Sequence, residues 1–208
     1  VTRWLGIALL PSADHQRAAI RLQEKVGGGQ QLRPTLTKDG NLPHVTVFQG
    51  PFTDALDPEA ELSKVAGSLA LPGEIQLAAT GIVYQPTGWV FLSLERPPLL
   101  EGLQQAALNI LDAYLAREAF DTAKDTSRFS DSERASFARY GYRYTGDAFA
   151  PHITLGRAEE HIARDLVRTA PERASVQPEW TFDRLSFYVM GEHGAHAEIL
   201  AERALDLP

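Results

Sequence analysis

Residues 43–47 read PHVTV and residues 151–155 read PHITL, one Pro-His-apolar-Thr-apolar pattern written twice in a chain with six histidines. Side chains on a strand alternate between its two faces. His44 and Thr46 therefore share a face, as do His152 and Thr154. Val45, Val47, Ile153 and Leu155 point the other way, where helices can cover them. Pro43 and Pro151 suit the first position of a strand, where a missing N–H costs little. From average residue usage, His-apolar-Thr-apolar falls at roughly one position in several thousand. Two copies, each after a proline, argue for a duplicated unit. The plainer reading is two half-buried strands whose His and Thr only satisfy hydrogen bonds.

The surrounding pattern supports duplication. "RWLGIALL" (3–10) reads as a buried strand ending at Pro11. Ser12 then caps a helix to about Val26, with Ala18, Ala19, Leu22 and Val26 on one face and the Gly27–Gly29 run as its stop. Residues 30–41 are polar and read as loop, and 43–49 alternate as a strand. Asp57-Pro58-Glu59 opens a second helix. Strands near 74–84 and 88–95 flank the turn "QPTG". A long helix is expected from Leu99 to about Glu118, with Leu99, Leu103, Ala106, Ile110 and Tyr114 at helical spacing. Ser130 and Glu133 form a capping box. "YRYTGDAFAPHITLG" reads as extended, 159–169 as helical, and "WTFDRLSFYVM", "GEHGAH" and "AEILAERAL" as a closing hairpin. Mixed helices and antiparallel strands indicate an α+β fold. Each half offers a His/Thr strand, then a helix, then a hairpin.

The chain has 208 residues, 44% hydrophobic and 23% charged, an ordinary globular composition. No run of about 18 apolar residues is present, so no membrane span is expected. "LGIALL" lacks a signal-peptide cleavage site, and Val1 in place of Met points to a processed or trimmed start. Cysteine is absent, which removes disulfides, thiol chemistry and Cys-based zinc sites. A cytoplasmic location is expected. The net charge of −7 disfavours long duplex nucleic acid, whose binding rests on phosphate neutralisation. A nucleotide or a chain end is the better partner.

Two histidines on opposite sides of a substrate suit in-line displacement at phosphorus. One takes a proton from the nucleophile and the other gives one to the leaving oxygen, both near neutral pH. Two threonine hydroxyls can donate to the phosphoryl oxygens where transition-state charge collects. Neither step calls for a metal or another cofactor.

His44-Val-Thr46-Val and His152-Ile-Thr154-Leu resemble the paired motifs of the 2H phosphoesterase superfamily. "TRWLGIALLP" is similar to that family's opening strand, and "GWVFLSLERPPLLEGLQQAAL" to its central hairpin strand and helix. "FAPHITLGR" is similar to its second motif, including Arg157. The resemblance implies a bilobal α+β fold, with two pseudo-symmetric antiparallel sheets, flanking helices and a central cleft. It implies one domain over residues 1–208 made of two interleaved lobes. It also implies metal-independent chemistry on RNA-type phosphodiesters, most often opening of 2′,3′-cyclic phosphates. The catalytic pair would be His44 and His152, with Thr46 and Thr154 on the phosphate. Action on 2′,5′ linkages, 2′–5′ RNA ligation, or phosphate binding without turnover are the alternatives. The "QGPF" continuation after the first motif and a long 117–149 segment depart from the family pattern and bear on the substrate.

Other residues are candidates for substrate contact. Phe48 shares the parity of His44 and Thr46 and should enter the cleft as a base-stacking ring. In "RYGYRY", Tyr140, Tyr142 and Tyr144 would share one strand face, either in the lobe interior or with Tyr142 or Tyr144 bordering the cleft. Arg157 is off parity and reaches the cleft only if Gly156 bends the chain; Arg3 is equally ambiguous. His193 and His196, beside Glu192, read as a solvated hairpin tip, with a metal site as the rival. His15 and His161 read as helix-surface residues. A monomer is expected.

Overall fold

The computed structural model describes residues 1–28 and 32–205, so Gly29 of the triple-glycine stop and the first two residues of the loop at 30–41 lie outside the described residues. Strand β1 (Arg3–Pro11) leads into helix α1 (Ala13–Gly27), and β2 (Val45–Phe52) into α2 (Pro58–Gly67). The hairpin β3 (Ile75–Gln85) and β4 (Trp89–Leu94) precedes α3 (Pro98–Leu111) and α4 (Asp131–Tyr140). β5 (His152–Arg157), α5 (Glu160–Arg173) and the hairpin β6 (Glu179–Met190) and β7 (His196–Ala204) complete the chain. The caps at Asp57 and Ser130 act as anticipated, whereas Ser12 holds the N-cap position of α1 without a side-chain cap bond, its Oγ pairing with His15 Nδ1 at 3.1 Å. Asp57 accepts from the amides of Glu59 and Ala60 with Pro58 in the first turn, and Ser130 and Glu133 form the reciprocal capping box.

Among the described residues all strand pairings are antiparallel, and seven strands join in one sheet. Within it are two arms. One runs β2-β1-β6-β7; the other runs β3-β4-β5. They join where Ile75–Ala78 pair with Glu179–Phe182, and again at the single pair Val45↔Ile153. The two expected sheets are thus arms of one continuous sheet. α2 and α3 pack on the first arm and α5 on the second, while α1 packs against α5 and straddles the arms, touching β5 in one and β1 and β6 in the other. Phe48, Phe52, Phe182, Phe187 and Trp180 are fully buried in the core, each contributing on the order of 1.5–3 kcal/mol by burial.

Two segments differ from the sequence reading. α3 ends at Leu111, and 3-10 turns follow at Asp112–Tyr114 and Arg117–Ala119. Backbone bonds from Thr53 N–H to the Tyr114 carbonyl and from Ala116 N–H to the Pro51 carbonyl capture this stretch on the end of β2, which ends the helix. The "RYGYRY" stretch is not a strand. Tyr140 closes α4, Gly141 follows in the left-handed region at φ 69°, and a 3-10 turn at Gly146–Ala148 precedes β5.

Candidate active site between the two arms

His44 sits just before β2, and His152 is the first residue of β5. In each, Nδ1–H donates to a carbonyl two residues earlier: His44 to Leu42 at 2.8 Å and His152 to Ala150 at 2.6 Å. A carbonyl only accepts, so both rings carry the proton on Nδ1 and keep Nε2 for a ligand. Burial lowers the pKa of each from 6.5 to about 4. His152 is further depressed by His44 and by the nearby Arg143 cation. Its ring stacks on Phe91 at 3.8 Å and meets Tyr144 edge-on at 5.4 Å.

Both threonines lie on the cleft wall, and each is followed by a β-bulge. Ala8 pairs Thr46 while Ile7 pairs Phe48, which leaves Val47 as the extra residue. Phe91 pairs Thr154 while Val90 pairs Gly156, which leaves Leu155 as the extra residue. A bulge breaks alternation and strands a carbonyl. A buried glutamine meets each one: Gln104 of α3 donates to the Val47 carbonyl at 2.8 Å, and Gln23 of α1 donates to the Leu155 carbonyl at 2.7 Å. The same amides tie down the neighbouring loops, Gln104 through the Tyr144 carbonyl and Gly146 N–H, Gln23 through the Pro34 carbonyl and Leu36 N–H.

The parity change reassigns two residues. Phe48 does not enter the cleft. It is fully buried and packs edge-on against Phe52, Tyr140 and Tyr142. The cleft position three residues after Thr46 belongs instead to Gln49, which the sequence reading missed. The equivalent position after Thr154 is Arg157, turned in by Gly156 at φ 130°. Arg157 Nε donates to the Thr87 carbonyl at 2.7 Å, and its guanidinium lies over Trp89 at 5.5 Å.

The cleft has a volume of about 1140 Å³ and holds His44, Thr46, His152, Thr154 and Arg157 on one surface. Tyr142 and Tyr144 also line it, although both are largely buried. Burial pushes the Tyr142 phenol well above its ordinary pKa and Tyr144 to about 12, so both stay protonated. Tyr140 packs on Phe48 instead. His193 reaches the cleft edge-on to Trp89, 5.6 Å between centroids. His196 overturns its hairpin-tip reading: it is 1% exposed. Among the described residues, no three His, Asp or Glu side chains gather as a metal-ligand set. His15 is half-buried against Trp180, whereas His161 is exposed beside Glu159. Arg3 is half-buried and is not among the residues lining the cleft. Among the described residues no helix is long and apolar enough to cross a membrane.

Two antiparallel arms, each bearing one His-x-Thr motif at the cleft, make an α+β arrangement that matches the fold of E. coli LigT. Among solved structures, E. coli LigT in its apo form is 20% identical, with 100% of this chain and 99% of LigT covered at a TM-score of 0.51. LigT complexed with 3′-AMP is 19% identical, with 99% of each chain covered and a TM-score of 0.52. TT0787 of Thermus thermophilus is 17% identical, with 97% of each chain covered and a TM-score of 0.52. No protein-family model and no curated protein sequence matches the chain.

Proposed function

We propose that the protein is a metal-independent phosphodiesterase that hydrolyses 2′,3′-cyclic phosphates of nucleotides or RNA ends. The observation that carries this reading is the pair of imidazoles, one per motif, each pinned through Nδ1 with Nε2 free in one cleft. A binding module would need no second titratable group.

His152 serves as the base and His44 as the acid. Both imidazoles are lowered to about 4 alike; the role order is assigned on the Arg143 cation, ion-paired to Glu133 at 3.0 Å, which opposes a proton on His152. His152 Nε2 takes a proton from water as the water oxygen bonds to phosphorus. The bond from phosphorus to one ribose oxygen breaks, and His44 Nε2–H protonates that oxygen, leaving a nucleoside monophosphate. Thr154 and Thr46 donate to the non-bridging oxygens, and the Arg157 guanidinium faces their charge. The 3′-AMP bound in the LigT structure is a nucleoside monophosphate of this kind, which supports the reading.

A cleft of about 1140 Å³ exceeds the roughly 300–1,000 Å³ of an ordinary small-molecule pocket. That favours an RNA end or a 2′,5′-linked dinucleotide as the second reading. The test is turnover of the four 2′,3′-cyclic mononucleotides in EDTA, with His152→Ala as control and 2′,5′- and 3′,5′-linked dinucleotides in parallel. Chromatography that separates 2′- from 3′-monophosphate identifies the departing oxygen. No product that depends on His152 from any of these substrates ends the proposal.

A further inference from the structure

Two rings stand behind His44 without lining the cleft. Tyr188 in β6 and His196 at the start of β7 stack at 4.3 Å with 15° between their planes. Each also meets the His44 ring, at 5.2 Å for Tyr188 and 5.5 Å for His196. His196 Nε2 shares a 2.8 Å hydrogen bond with Ser186 Oγ. The His196 carbonyl accepts from Leu42 N–H at 3.3 Å, and Leu42 is the residue whose carbonyl holds His44 Nδ1. His196 therefore meets His44 twice, ring against ring and through the Leu42 peptide. Tyr188 carries the contact onward: its hydroxyl donates to Gln49 Oε1 at 3.2 Å and lies 3.4 Å from Thr46 Oγ1.

Packing alone does not call for an imidazole here. His196 Nδ1 is buried with no hydrogen-bond partner, a destabilising arrangement that a phenyl ring would avoid. Behind the other catalytic candidate, the ring stacked on His152 is Phe91. Phe91 stacks directly on His152, whereas Tyr188 and His196 stack on each other and meet the His44 ring at tilts of 57° and 60°, so the two half-sites differ in both geometry and polarity.

We propose that His196 is a positioning residue for His44: pinned by Ser186, it holds Tyr188 and the Leu42 peptide so that His44 keeps Nε2 turned to the substrate. This rests on the reading of His44 as the acid. His196 faces His44, Tyr188 and Ser186, with Arg184 acting at longer range; His44 faces Tyr188, His196 and, across the cleft, His152. Burial holds His196 neutral, its pKa lowered to about 3, so it adds no charge against the His44 imidazolium formed during turnover.

The test is the double variant Ser186→Ala/His196→Phe, which replaces both partners of one buried bond with apolar groups and is expected to keep the wild-type Tm or exceed it. On 2′,3′-cyclic AMP, kcat should fall about tenfold or more with KM within about twofold. His196→Gln, which can still reach Ser186, should recover part of that loss. A second readout needs no turnover: nitrogen–proton NMR of His44 should show one Nδ1–H tautomer in the wild type and a mixture in the double variant. An unchanged tautomer with unchanged kcat overturns the proposal, as does a loss of kcat matched by a loss of Tm. Absence of turnover in the wild type counts against the acid role of His44, while the tautomer still decides the positioning role.

Discussion

Val45 faces Ile153 in the single backbone pair that joins β2 to β5. Because that pairing is antiparallel, the two motifs run past each other in opposite directions. Each histidine therefore lies on the side of the other motif's threonine, and a pseudo-twofold axis passes through the Val45–Ile153 pair. The pairing of Ile75–Ala78 with Glu179–Phe182 holds the two arms together a second time, and residues of both arms line the cleft. The duplicated bulges, with Gln104 under one and Gln23 under the other, repeat the same construction on both sides.

Replacing either histidine should remove chemistry and spare the fold. His44→Ala and His152→Ala are each expected to lower kcat about 10²–10⁴-fold, the usual contribution of a positioned acid or base. Circular dichroism melts should place both within a few degrees of wild type. Near wild-type turnover in both single variants would falsify the two-histidine mechanism.

The pH profile should lie to the acid side of an ordinary imidazole. With both pKa values lowered from 6.5 to about 4, the free enzyme is largely neutral at both sites above pH 6. The active form needs one ring protonated and one neutral. That population shrinks about tenfold per pH unit above both values, so kcat/KM should decline from pH 5.5 to 8. A maximum at pH 8 or above would contradict the assignment.

Stability should carry the same signature with its own sign. A histidine whose folded pKa lies below its unfolded value binds fewer protons in the native state, so stability rises with pH between the two values. Between pH 6.5 and about 4, His44 alone should withdraw on the order of 3 kcal/mol as pH falls. His44→Phe, followed by thermal melts from pH 7 to pH 4.5, should show a shallower decline than wild type.

Gly6 should tolerate no side chain. A Cβ there would lie 2.5 Å from Tyr188 Cζ, so Gly6→Ala must displace the ring that contacts Thr46, Gln49 and His44. A loss of about 1–3 kcal/mol is expected from overpacking, measured by urea denaturation, together with reduced turnover.

Gln104→Leu removes the partners of the Val47 carbonyl, the Tyr144 carbonyl and Gly146 N–H at once. Leaving these buried groups unpaired should cost at least about 2 kcal/mol in the same denaturation experiment. Gln23→Leu should behave alike in the other half, and a neutral result in both would show the bulges to be held by other means.

Local signals were legible because their physics is local. The strand and helix order, the Asp57 cap and the Ser130–Glu133 box follow from short-range periodicity and hydrogen bonding. The pairing of His44 with Thr46 and of His152 with Thr154 follows from alternation over two residues. Phe48 lay beyond the reach of that rule, since one inserted residue reverses parity and a bulge is set by the partner strand. Gln23 and Gln104 look like ordinary helix positions until the bulged carbonyls are seen above them. His196 sits in a polar, turn-like stretch, and only the pairing of β7 with β6 carries it behind His44. Tyr142 and Tyr144 reach the cleft wall from a loop held by Gln104, where a strand had been expected.

The sequence by itself determined the α+β alternation, the duplicated motif and the identity of the four polar side chains on the motif faces, because each depends on spacing within a few residues. Tertiary structure alone decided that the two motifs meet, that the arms form one sheet, that Gln49 and Arg157 enter the cleft while Phe48 leaves it, and that His44 and His152 have different surroundings. Those outcomes depend on which strands pair and in what register, a matter of contacts between residues far apart in the chain.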